Sequence, residues 1–385
     1  MYKQRRRTFV RLASFVFAVS CTVFLSAGLL RVSPPLVLAG TGAFFASPVA
    51  ALRTAQEFFS AESAAAAATE SVPAEEVQAP VENPAPTAES SAPAAESAAA
   101  PVSADEPLEA RAPIAGEAVP QGMVPLLEQH FQASAGTGYI PTGTALIRNS
   151  TSLPDAEVAA EVGQPLPFSV EKNSSEPQVL IVHTHATECY EGAEHSYTDP
   201  AFSARTTDTA VNMVAVGQQM TDILNAAGIN TLHDTTLHDY PSYTGSYEKS
   251  NATVRSYLQQ YPSIKVVIDV HRDAIQRADG TRVKPVVTIN GEKSAQVMLI
   301  SCADQDGNLP NYKQNLRFAA AWQAQMEGMF PGLTRPVLFD YRYYNQDLST
   351  GSLLLEVGGH ANTLSEALAA GRMAAQALAQ LFSGA

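Results

Sequence analysis

Apolar and polar positions change rhythm along the chain. Between Leu12 and Leu30 no charge interrupts a run of apolar and small residues, and Arg31 closes it. From about 54 to 118 the rhythm disappears: Ala, Pro, Ser, Glu and Val dominate and bulky side chains are scarce. From 179 onward short apolar runs alternate with stretches of helical period. Val179 to Val182 predicts a buried strand. A helix follows over about 207–227, stopped by Gly228, and then a short strand over 229–232. A helix over 247–260 leads through Pro262 to a strand over 264–270. Runs at 285–290 and 296–301 flank Asn290-Gly291, a hairpin turn signal. A helix over 316–330 and strands over 336–340 and 352–357 precede a last helix from near Asn362 to about Leu381. Thr363-Leu-Ser-Glu366 at its start is a capping-box pattern. The alternation predicts an α/β fold with a central, mostly parallel sheet and helices on both faces.

Residues 119–178 form an N-terminal extension of the domain expected over 179–385. Within it, Val124-Pro-Leu-Leu-Glu-Gln-His-Phe131 reads as one short helix, and the stretches around Tyr139 and Ala145 as extended chain. The run of about 19 residues from Leu12 suits a membrane-spanning helix. The arginines before it put the N-terminus inside and the bulk of the chain outside. Residues 1–31 thus read as a cytoplasmic N-terminus and single-pass anchor at the cell membrane. Residues 32–118 read as a membrane-proximal segment and linker that cannot build a core. A coil of about 65 residues, the length of 54–118, spans roughly 45 Å. Ala46-Ser-Pro-Val-Ala50 keeps cleavage of a signal peptide as the alternative.

Charge changes the picture little. The net charge is -14, but much of it sits over 54–118, where Arg111 is the lone basic residue. The lack of basic patches argues against a nucleic-acid partner. Three cysteines give no disulfide framework, and Cys189 reads as a small buried side chain.

The chemistry gathers where apolar runs end. The strand at 179–182 runs into His183, His185 and Glu188, and that at 264–270 into His271, Arg272 and Asp273. Glu356 lies inside the apolar run 352–357. Open α/β sheets place their sites beyond strand C-termini, and His185-Ala-Thr-Glu188 offers a nitrogen and an oxygen from one short loop. Two imidazoles and a carboxylate suit Zn²⁺ with a position left for water, and a second carboxylate serves as base. His185, Glu188 and His271 are the candidate ligands and Glu356 the candidate base. His183 shares a face with His185 if both are in extended chain, so either could be the ligand. His183, Arg272 and Asp273 otherwise orient a ligand, hold the loop or meet substrate. A structural alternative pairs Glu356 with Arg342 or Arg372. His233 and His238 lie in a polar loop and read as surface, His360 as bordering the pocket, and 341–349 as a substrate wall. Phosphate-loop and G-x-S-x-G patterns are absent.

At these residues the chain resembles the stage II sporulation protein P family. The stretches that carry the resemblance are Val182-His-Thr-His-Ala-Thr-Glu-Cys-Tyr190, Asn212-Met-Val-Ala-Val-Gly217, Ile268-Asp-Val-His-Arg-Asp273, Val287-Thr-Ile-Asn-Gly291, Tyr344-Asn-Gln-Asp-Leu-Ser349 and Leu355-Glu-Val-Gly-Gly359. The resemblance implies a zinc-dependent N-acetylmuramoyl-L-alanine amidase with a cell-wall amidase-like fold, and endopeptidase activity on stem-peptide cross-links. It implies peptidoglycan remodelling during engulfment, beside a lytic transglycosylase like stage II sporulation protein D and a membrane scaffold. The amidase pattern of His, Glu and His ligands with a late-strand Glu maps onto His185, His271 and Glu356. Its Glu ligand opens the first helix in many relatives. Here that position holds Thr207-Asp208, so Asp208 is the alternative to Glu188.

Overall fold

The structure, a computed structural model, describes residues 108–110, 118–132 and 136–384. The anchor expected over 12–30 lies outside these residues, as does most of the linker. Among the described residues no helix is long and apolar enough to cross a membrane.

The first half comprises β1 (Leu108–Ala110), β2 (Val124–Phe131), β3 (Tyr139–Thr142), β4 (Ala145–Asn149), α1 (Asp155–Val162), β5 (Val179–Val182), β6 (Tyr197–Thr198), α2 (Met213–Ala226), β7 (Thr231–His233) and α3 (Ser246–Gln260). The second comprises β8 (Val266–Asp273), β9 (Arg282–Ile289), β10 (Glu292–Ala295), β11 (Val297–Cys302), α4 (Tyr312–Met329), β12 (Val337–Asp340), β13 (Gly351–Gly359) and α5 (Leu364–Ser383).

Eight strands make the main sheet in the order β3-β4-β12-β11-β13-β8-β5-β7. Its pairings are parallel except β3–β4 and β11–β13. Strand residues alternate between faces, and the two faces bury different partners. Ile181, Ile268 and Leu355 join residues of α2, α4 and α5 in the larger core. Leu180, Val182 and Val267 pack with Val254 of α3 on the opposite face. Helices therefore cover both faces, as the alternation predicts. The Thr363–Glu366 capping box forms at the start of α5.

Three expectations are corrected. Val124–Phe131 is strand β2, not a helix. Ladders with β9, β1 and β6 satisfy its backbone in extended form instead of a helix. Those strands and β10 form a second sheet that the periodicity does not announce. Its hairpin turn is Asn290-Gly291, with φ of 52° and 83°, the positive values a two-residue turn needs. Leu108–Ala110, inside the stretch read as linker, pairs with β2. Helix α2 starts at Met213 rather than near 207. Asn212 caps it by accepting from Val214 N, while Met213 N donates to Glu188 O. That bond ties the helix start to the loop after β5.

Candidate active site

The site forms where β5, β8 and β13 run parallel to their C-terminal ends. Period-two alternation turns Asp269 and His271 of β8 away from the larger core, towards the α3 side. Glu356 of β13 stands in register with His271. The loop after β5 brings in His185, whose ring stacks on Tyr243 at 4.5 Å. It meets His271 edge-on at 5.2 Å. Glu188 Oε2 is 3.8 Å from His271 Nδ1. The structure thus brings His185, Glu188, His271 and Glu356 together.

Each histidine has a buried aspartate behind it. His271 Nε2 lies 2.9 Å from Asp269 Oδ1, close but without hydrogen-bond alignment. Asp269 is fixed in turn by Thr184, which donates from N and from Oγ1. His185 Nδ1 lies 4.0 Å from Asp239 Oδ2 and 3.4 Å from Ser246 Oγ. Thr187 and Arg205 donate to Asp239.

The remaining predicted residues frame this set. Arg272 N donates to Glu188 Oε2 at 3.2 Å. The Arg272 guanidinium donates to Cys189 O and Ala204 O, which pins the loop. Asp273 pairs with Arg335 at 2.7 Å. His183 is fully buried. Its Nδ1 lies 2.8 Å from Val270 O and its Nε2 2.9 Å from His233 Nε2. Both ring nitrogens are thereby engaged, and it is His185 that lies beside His271. Asp208 is exposed, with Oδ1 accepting from Ala210 N in a turn before α2, whereas Glu188 is buried beside His271. Arg342 and Arg372 pair with Asp340 and Glu292 rather than with Glu356.

The reading of His233 and His238 as surface residues is corrected. His233 ends β7, which pairs with β5, and the loop that carries His238 folds back over the end of β5. His238 is buried between His183 O and Thr253 Oγ1, and His233 packs on His183. In the 341–349 loop, Tyr344 packs on Tyr247, and Gln346 turns inward to Cys302 N and Ile300 O. The segment is part site wall and part scaffold. Buried His360 donates from its backbone to Asp273 O.

Electrostatics separate the groups. Burial, with Asp273 nearby, pushes the Glu356 carboxyl up to about 8. Its Oε2 is buried with no hydrogen-bond partner. Burial and the neighbouring His271 bring His185 down to about 4. Burial opposes the charge on His271 too, but Asp269, then Glu188 and Glu356, raise it to about 9. Glu188 is lowered: Arg272, the histidines and Arg205 outweigh burial.

Two imidazole nitrogens and a carboxylate are the donor set of a catalytic zinc. Two ligands of one tetrahedral ion stand roughly 3.4 Å apart, near the 3.8 Å between Glu188 Oε2 and His271 Nδ1. The unpartnered Glu356 oxygen belongs to the residue in register with His271. The three donors of His185, Glu188 and His271 do not yet all lie within 4.8 Å of one another, so His185 has the adjustment to make. The oxygens of Glu128, Glu194 and Glu366 do lie that close. Two lysines already occupy that trio, with Lys284 Nζ 2.8 Å from Glu366 and Lys293 bonded to Glu128 and Glu194.

Sequence reasoning missed Asp269, Asp239, Arg205, Tyr243 and Tyr247. Asp269 carried a signal: a lone acid in Val266-Val-Ile-Asp-Val270, two residues before His271 and so on its face.

An α/β domain with a two-histidine, two-carboxylate centre at the strand ends is an architecture suited to metal-assisted hydrolysis. The chain belongs to the Stage II sporulation protein P family, whose family model matches residues 52–379. It is similar to the Stage II sporulation protein P of Bacillus subtilis (strain 168), 30% identical over 215 residues, or 53% of this chain and 51% of that protein. The chain therefore matches about half the length of that relative. Solved structures align more loosely. The CwlD amidase of Clostridioides difficile, solved with the GerS lipoprotein, shares 10% identity at a TM-score of 0.35, covering 54% of this chain and 100% of that one. The N-acetylmuramoyl-L-alanine amidase AmiC2 of Nostoc punctiforme shares 11% at 0.31, covering 55% and 98%.

Proposed function

We propose that the chain is a zinc-dependent peptidoglycan hydrolase. It cleaves the amide between N-acetylmuramic acid and L-alanine, and also stem-peptide cross-links, in wall remodelling during engulfment. The observation that carries this is Glu356: a buried carboxyl, raised to about 8, in register with His271 and with one oxygen unpartnered. A buried carboxyl without a partner is costly, and such a group persists where its proton chemistry is used. His185, Glu188 and His271 would hold the metal, with Asp239 and Asp269 behind the two rings. When bound, zinc polarises the scissile carbonyl and makes water nucleophilic at neutral pH. Glu356 takes the attacking water's proton and delivers it to the amide nitrogen as the C–N bond breaks. A carboxyl titrating near neutrality suits both halves of that transfer. Arg272 and Asp273 hold the loop and strand that carry these groups, and His183 braces β8 through Val270 O.

The location and partners belong to the same proposal. Residues 12–30 anchor the chain in the cell membrane and the following segment tethers the catalytic domain outside it. A lytic transglycosylase like stage II sporulation protein D and a membrane scaffold act alongside, as family membership suggests.

The test incubates the full chain with purified peptidoglycan, with and without a chelator, and identifies products by mass spectrometry. Peptide-free glycan that vanishes on chelation and returns with zinc is expected. Glu356→Gln is expected to lose at least about a thousandfold in kcat while retaining its zinc. Shortened peptides on intact glycan–peptide bonds would make the enzyme a metallocarboxypeptidase or endopeptidase instead. Binding without chemistry would make it a wall-binding scaffold.

A further inference from the structure

Tyr247, in the first turn of helix α3, projects into the middle of the site. Its ring meets His185 edge-on at 5.4 Å and runs parallel to His271 at 6.4 Å. On its other side it packs on Tyr344 at 5.4 Å. Its main chain is held firmly, since Tyr247 O accepts from Asn345 Nδ2 and from Ser250 Oγ. The phenol oxygen lies in the field of Glu356 and Glu188 as well as Asp269. Yet among the described residues the hydroxyl makes no hydrogen bond, and it is not one of the sealed, unpartnered atoms. A rigid ring thus presents a free, accessible O–H beside two imidazoles and the candidate base.

Hydrolysis of an amide needs such a donor. As water adds, the carbonyl π pair moves onto oxygen, and that charge must be met by groups fixed in advance. The nearby guanidiniums are committed: Arg272 to the Glu188 loop and Arg205 to Asp239. Glu356, Glu188, Asp269 and Asp273 would repel the oxyanion if charged. A phenol keeps its proton at neutral pH, the more so one that burial pushes above the usual tyrosine range.

We propose that Tyr247 is a catalytic residue whose hydroxyl donates a hydrogen bond to the oxyanion formed at the scissile amide carbonyl. The proton stays on the phenol. Water's proton goes to Glu356 and then to the leaving nitrogen, and the C–N bond breaks as the carbonyl re-forms. This role rests on the proposed amide hydrolysis.

Tyr247→Phe is the test, because it keeps every ring contact and removes one oxygen. In the full, zinc-loaded chain, kcat on peptidoglycan fragments should fall about 10²- to 10³-fold. KM, zinc content and melting temperature should stay unchanged. Affinity for a phosphinate analogue of the scissile amide, a tetrahedral anion, should fall by a similar factor. Wild-type activity with Tyr247→Phe within about threefold in kcat, or with undiminished phosphinate affinity, would overturn the role while leaving the function intact. A wild-type chain that releases no product under any metal condition would overturn the function and this role together.

Discussion

His185 and His271 stand 5.2 Å apart yet are pushed in opposite directions. Burial takes His185 down to about 4, while the carboxylates around His271 take it up to about 9. A metal ligand must be neutral. Near pH 7 the metal-free site therefore holds a neutral His185 and a charged His271. On the proposed ligand set, zinc binding would have to expel the proton from His271, and Glu356, protonated below about 8, would lose its own more readily beside a cation. The sign follows from His271: zinc affinity should rise with pH and level off only above about 9. We expect release of at least one proton per zinc near pH 7, measured by calorimetry in buffers of different ionisation enthalpy. Asp269→Asn removes the main charge that holds the proton on His271, so it should reduce that release. It also removes the carboxylate behind His271, so affinity above pH 9 should fall about 10- to 100-fold. Binding that is independent of pH between 6 and 9 would contradict the protonation states assigned to this pair.

Helix α2 shows how an element can be set by one missing side chain. A Cβ on Gly217 would lie 2.4 Å from His183 Nε2 and 2.6 Å from His233 Nε2. His183 cannot retreat, because it is buried with Nδ1 at Val270 O. Alanine in a helix interior ordinarily gains about 1 kcal/mol over glycine. Here the clash should cost about 1–3 kcal/mol, so Gly217→Ala should lower the melting temperature; a higher one would show that the two rings have room to move. The sequence carried no sign of this contact, which joins residues from three elements. What it did carry was local. Apolar runs that end in His183, His271 and Glu356 betray strand ends with chemistry on them, and the Thr363–Glu366 box marks a helix start within four residues. The misreadings share a cause in long-range pairing. Strand β2 is extended because β9, β1 and β6 meet it, and His238 is buried because a polar loop closes over His183 O. Tyr247 enters the site because α3 packs on the face that Asp269 and His271 share. None of these partners is near in sequence.

At the scale of the molecule, the residues proposed for catalysis and the extension before them share one sheet and one core. The domain read from 179 onward carries all four central side chains, but its sheet is completed from outside that range. Strand β4 pairs in parallel with β12 and buries Ile147 completely, and β3 beyond it buries Ile140. Phe168 packs edge-on against Phe318 and Phe382, and Val158 of α1 is buried in the same core. Each fully buried aliphatic side chain contributes about 1.5–3 kcal/mol, and a domain's net stability is only about 5–15 kcal/mol. Removing Ile140, Ile147 and Val158, and with them the partly buried Phe168, therefore consumes much of that margin. It also opens β12, whose Phe339 is fully buried, as an unpaired edge prone to association. Strand β9 would lose β2 as well. We expect a fragment of residues 179–385 to aggregate or melt without cooperativity, and one of 118–385 to unfold in a single transition. Circular dichroism with size-exclusion chromatography on the two fragments distinguishes these outcomes. A monomeric 179–385 fragment with a sharp melt would show that the extension is an ornament on a self-sufficient core. If the shorter fragment fails as expected, its lack of hydrolytic activity reports lost packing at β12 and β9, not the chemistry of Glu356.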